Sequence, residues 1–312
     1  EVVWISPLQR FSNGNLVMFY AKRIGNNATF YRVDLNDDLS FSVLQLDWET
    51  DDYYDDDRTF YPYNTGMVVN KDGNVIITYP PHSQYHINGT EAMQFLKFDD
   101  KGHLVGQRLM EGFRGQDRHH TLPAPDSLGC RIILRSNGSP KLDCYTLDSD
   151  LNTLTVKENV EEMSWPYQCC RFAFLKTNPA NGKTYSNNII NYPEYGGNPA
   201  IVEDIMMSVF DAENFRQTNY TWGLTTQSND GAGILQSIGF DNDDNVYMVG
   251  QMDNVMANEF LNRNLYIAYL DENLNKLGEI YHVDEYAYEV KSMAACPEGG
   301  CLVSCHKIHE AT

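Results

Sequence analysis

Two hairpin signatures alternate along the whole chain, and that alternation limits its fold more than any other feature. The first is a Gly- or Asn-containing turn followed by a β-rich run. It reads SNGNLVMFY (12–20), NKDGNVIITY (70–79), DSLGCRIIL (126–134), NPANGKTYSNNII (178–190), DNDDNVYMVG (241–250) and CPEGGCLVSC (296–305). The second is an apolar run ending in Asp, then a short polar turn, then another strand; it recurs around Asp34, Asp99, Asp148, Asp211 and Asp271. Gly and Asn accept the positive φ of tight hairpin turns. An Asp at a strand end can accept hydrogen bonds from the turn's own backbone amides. Between turns the residues alternate, as in Tyr266-Ile267-Ala268-Tyr269-Leu270, and no segment carries a sustained helical stripe.

Two hairpins per repeat make four strands, and four-stranded sheets recurring at this spacing are the blades of a β-propeller. A sandwich would not require strict alternation of two hairpin types. The expected fold is therefore all-β, a propeller whose blades pack only on their neighbours, forming one domain over residues 1–312. The first signature occurs six times and the second five. That count predicts six blades with the last incomplete in this chain, and a native chain that continues past Thr312.

Composition narrows the function. There are 23 Lys+Arg against 43 Asp+Glu, a formal net charge of −20. Phosphate contacts need clustered Lys and Arg, so this balance argues against nucleic acid and against an anionic membrane surface. No apolar run is long enough for a transmembrane segment. The chain opens on Glu1-Val2-Val3-Trp4 without a basic leader, so a targeting segment is expected to be already removed. The 7 cysteines include no CxxC pair. Cys296 and Cys301 flank Pro297-Glu298-Gly299-Gly300, and a four-residue hairpin loop there would set them opposite each other, within reach of a disulfide. Adjacent Cys169 and Cys170 would face opposite sides of a strand.

The repeats resemble those of secreted and surface-anchored β-propellers of Gram-negative bacteria, whose inner hairpins read DGGYIVVG and outer ones LKLDENGNV. Carrying the resemblance are Asp72-Gly73-Asn74-Val75, Asn245-Val246-Tyr247-Met248-Val249-Gly250 and Tyr269-Leu270-Asp271-Glu272-Asn273-Leu274-Asn275. The pattern is left around 178–204, where Asn- and Pro-rich insertions replace a tidy strand. The resemblance implies an exported protein, at the cell surface or extracellular. It transfers no catalytic residue, because such repeats build the frame.

Long connections rich in aromatic and charged residues separate the hairpins, and in a propeller they emerge on one face, where binding residues concentrate. The first contains Trp48, Asp51, Asp52, Tyr53, Asp55, Asp57, Arg58 and Tyr61. Ca²⁺ takes six to eight oxygen ligands from such clusters, so Asp51, Asp55 and Asp57 are candidate ligands, although the EF-hand spacing is absent. Another connection holds Arg114, Arg118, His119 and His120, able to clamp an anion or to move a proton. His82 and His86 in PPHSQYH have a spacing that suits a metal on a helix, but the prolines favour a loop. Trp165, Tyr195, Trp222 and Tyr286 supply flat rings suited to sugars or to a protein.

These features point to a binding module that holds a glycan, a peptide or an envelope-protein partner. The competing expectation is a propeller-fold polysaccharide hydrolase or lyase, which needs a carboxylate pair across the channel mouth. A third class, a structural subunit of an envelope assembly, would show a flat apolar patch. No nucleophile elbow, HExxH, Walker loop or dinucleotide fingerprint is present.

Overall fold

A computed structural model describes residues 2–10, 14–24, 27–36, 38–50, 65–79, 91–113, 119–135, 142–160, 168–192, 202–221, 230–232, 236–253, 263–282 and 286–308. Among them every regular element is a β-strand, and all pairings are antiparallel. The chain divides into two compact units, Glu1–Val160 and Glu161–Thr312.

The first unit holds three sheets. In the first, β1 (Val2–Ile5) and β2 (Gln9–Arg10) both pair with β3 (Leu16–Ile24), followed by β4 (Asn27–Leu35) and β5 (Phe41–Thr50). The second runs β6 (Gly66–Val69), β7 (Val75–Tyr79), β8 (Glu91–Phe98), β9 (Leu104–Phe113). The third runs β10 (His120–Pro123), β11 (Cys130–Arg135), β12 (Leu142–Leu147), β13 (Thr153–Lys157).

The second unit also holds three. The fourth sheet runs β14 (Gln168–Thr177), β15 (Thr184–Tyr192), β16 (Val202–Phe210), β17 (Gln217–Thr221). In the fifth, β18 (Asp230–Ala232) and β19 (Ile238–Phe240) both pair with β20 (Val246–Asp253), which continues to β21 (Arg263–Leu270) and β22 (Lys276–His282). The sixth is only β23 (Ala287–Ala295) and β24 (Cys301–Ile308). Residues 184–192 form a regular strand paired on both sides, so the insertion expected to break this repeat does not displace it.

Sheets within a unit pack face to face, and the sequence pattern follows. All five residues of β7 are buried. Val75, Ile77 and Tyr79 pack toward the first sheet with Phe19, Phe30 and Leu46, while Ile76 faces Cys130, Ile132 and Leu134 of the third. Similarly Val246 and Met248 join the fourth sheet's Ile205 and Met207, and Tyr247 and Val249 join Val290 and Met293 of the sixth. A strand covered on both faces reads as a continuous apolar run, because alternation needs one wet face. In β3, by contrast, Val17, Phe19 and Ala21 are buried while Met18 and Tyr20 are half-buried.

The tight turns explain the second signature. Asp148 N donates to Asn152 O (2.9 Å) and Leu151 N to Asp148 O (3.1 Å). The Asp148 carboxylate accepts from the Asp150 and Asn152 amides at 2.9 and 2.8 Å. Asp99, Asp241 and Asp271 repeat this arrangement, and Asp211 closes a slightly longer version. In the first sheet the turn lies at Asn36–Ser40, not at Asp34, whose strand position pairs with Ser42. Each turn needs one left-handed residue, and Gly73 and Gly102 supply it cheaply. Leu151 (φ 65°) and Leu274 (φ 67°) adopt the same conformation, with side chains only 2% and 4% exposed in the core. Burial of a Leu is worth about 1.5–3 kcal/mol, which outweighs a left-handed cost of about 1–2 kcal/mol.

The turns are also bonded to the neighbouring sheet. Arg32 donates to Asp100 O (2.6 Å), Lys97 to Ser149 O (2.8 Å) and Arg108 to Leu151 O. In the second unit Tyr185 donates to Glu272 O (2.9 Å), Asn178 to Asp244 Oδ1 (2.8 Å), and Gly300 N to Tyr247 Oη (2.9 Å).

Candidate functional site

An antiparallel meander puts its first and third turns at one end of the sheet and its second connection at the other. The stitched turns occupy one end of each sheet. The opposite end is where the chain enters and leaves the connections that carry most of the candidate binding residues. In the first unit three of these strand ends meet. Thr65 follows segment 51–64, Tyr79 precedes 80–90, and His119 follows 114–118.

The meeting point is a buried polar cluster. Thr78 Oγ1 lies 3.2 Å from His119 Nε2 and 2.5 Å from Thr121 Oγ1. Thr78 is fully buried and His119 is 4% exposed. Gly66 is required by this closeness: a Cβ there would sit 2.7 Å from both Thr121 Cβ and Thr78 Oγ1 and closer still to Thr121 Oγ1. Burial drives the His119 pKa down to about 3, the nearby His120 adds to the effect, and the Thr78 bond opposes it. His119 is therefore neutral at physiological pH and holds strands together; an acid or base working near pH 7 needs a pKa near 7. The second unit has matching latches: Asn187 Nδ2 donates to Ser237 Oγ (2.7 Å) and Gln251 Nε2 to Tyr288 O (2.6 Å).

Beside the cluster, Trp48 stacks on Phe30 at 5.3 Å and meets the edge of Tyr79 at 5.4 Å. Trp48 is thus packed on the core shared by the first two sheets. Tyr286 is half-buried, with the Lys307 ammonium 3.4 Å from its ring centroid. The remaining candidates (Asp51, Asp52, Tyr53, Asp55, Asp57, Arg58, Tyr61, Arg114, Arg118, Trp165, Tyr195, Trp222, and also His82 and His86) lie outside the described residues. The side chains of Cys169 and Cys170 do as well.

Cys296 and Cys301 are free thiols, and the expected bridge is not formed. The register gives the reason. Cys301 pairs with Ala295, while Cys296 enters the turn through its bond to Gly300 O (2.8 Å), so the two cysteines are not opposite each other. Burial, with Cys296 nearby, raises the Cys301 pKa.

Among the described residues no group of three or more His, Cys, Asp or Glu is placed to hold a metal ion. The turn carboxylates are already occupied. The Asn152 amide, opposed by partial burial and aided by the Asn152 side chain and Asp150 amide, holds Asp148 below the usual carboxylate range. Partial burial alone would raise Asp99 and Asp271, but donors from His103 and Lys101, and from Asn275 and Asn273, hold both below it. A general acid requires the opposite shift. No helix among the described residues is long and apolar enough to cross a membrane.

Sequence reasoning missed Thr65, Gly66, Thr78 and Thr121. Thr78 is visible as the one polar residue in the Val75–Tyr79 run, which is the available signal.

No protein-family description matches the sequence, and no curated protein matches it. Solved structures do. An α-L-arabinanase from Penicillium chrysogenum, complexed with arabinobiose, is 9% identical with a TM-score of 0.53, covering 98% of this chain and 93% of that one. A periplasmic gluconolactonase from Pseudomonas aeruginosa is 14% identical with a TM-score of 0.52, covering 95% of this chain and 77% of that one. The fold is of the propeller type. TolB from Acinetobacter baumannii is also similar, at 13% identity and a TM-score of 0.45; 90% of this chain matches, spanning 54% of that one. At such identities the likeness speaks for the fold alone.

Proposed function

We propose that this chain is an exported propeller that binds a glycan, peptide or envelope-protein partner through the connections at the loop-bearing ends of its sheets. The observation that supports this most is the meeting of Thr65, Tyr79 and His119, from which the segments 51–64, 80–90 and 114–118 depart. Those segments hold Asp52, Tyr53, Arg58, Tyr61, Arg114 and Arg118, an acidic, aromatic and cationic mixture suited to hydroxyls and stacking. The opposite ends engage their polar groups with one another, so they offer few to a ligand. Six blades, one per sheet, in one domain, complete the proposal, with β23 and β24 as a two-stranded sixth blade. Export rests on the repeat resemblance.

Glycan and peptide arrays probed with the chain test this reading. Binding is expected to a defined class, to weaken at least tenfold when Tyr53 and Tyr61 are both changed to Ala, and to leave the ligand unchanged. Release of reducing ends from a bound polysaccharide would overturn it, and so would binding indifferent to the double variant.

A further inference from the structure

We draw no further inference here: the strongest candidate, the corner at the loop-bearing end of the first two sheets where Trp48 meets the edge of Tyr79 and the Thr65 hydroxyl is buried without a hydrogen-bond partner, belongs to the site already described.

Discussion

The buried imidazole of His119 makes a quantitative claim about stability between pH 7.5 and pH 5. In the folded chain its pKa is pushed down to about 3, foremost by burial, so it stays neutral across this interval. Unfolded, it titrates near the ordinary value of about 6.5 and is almost fully protonated at pH 5. The unfolded state then binds more protons, and linkage makes folding less favourable as pH falls. Integrating from 7.5 to 5 gives about 2 kcal/mol lost from this one group, a figure insensitive to the folded value while that stays below about 4. Asp99, Asp148 and Asp271 have the same direction of dependence, in a lower pH window. Held below their ordinary pKa in the fold, they contribute above the unfolded value of about 3.9 and lose that contribution below it, outside the interval. Urea unfolding of the parent and of His119→Gln at both pH values isolates the effect, because the remaining charges are common to both. The parent should lose about 2 kcal/mol more than the variant on acidification. Equal losses would refute a neutral, buried His119.

The left-handed leucines give a paired prediction. Leu151→Gly should destabilise by about 1–4 kcal/mol, since cavity loss exceeds the relief of backbone strain, whereas Leu39→Gly, at φ 64° but 77% exposed, should stabilise by up to about 1 kcal/mol. Denaturant midpoints of the two variants read the difference in sign. Gly66→Ala should cost about 1–3 kcal/mol by forcing Thr121 and Thr78 apart, seen as a lowered Tm. Asp271→Ala removes the acceptor for the Asn273 and Asn275 amides and should cost about 1 kcal/mol, by analogy with the loss of a helix cap. Asp271→Asn, which keeps one oxygen, should recover part of that loss in the same unfolding assay.

The scaffold was readable because its causes are local. Asp99, Asp148, Asp211 and Asp271 close their turns through bonds spanning a few residues, so composition within each hairpin reports the geometry. Leucine at a left-handed position was not readable, since what stabilises Leu151 is a core assembled from strands distant in sequence. The same limit applies to Cys296 and Cys301. The loop length suggested opposition, and the left-handed Gly299 and Gly300 shifted the register by one. The His119 environment depends on Thr78, 41 residues earlier, and nothing in the His119-His120 dipeptide signals it.

That dependence bears on where recognition can reside. A polar group that has found a partner within the fold gains little from a ligand, because binding would exchange one hydrogen bond for another. At the turn ends Asp148 and Asp271 accept from their own amides, and Arg32, Lys97 and Arg108 are bound to neighbouring carbonyls. At the other end Thr78, His119 and Thr121 close on each other, and Trp48 packs on Phe30 and Tyr79. The described strand ends thus form a frame that holds the chain at 65, 79 and 119. If the loop-end reading is right, affinity must come from 51–64, 80–90 and 114–118. Replacing their Asp, Tyr and Arg side chains should then abolish binding while leaving the unfolding midpoint unchanged, whereas a substitution at Thr78 should do the reverse: lower the midpoint first, and lose binding only as the frame opens.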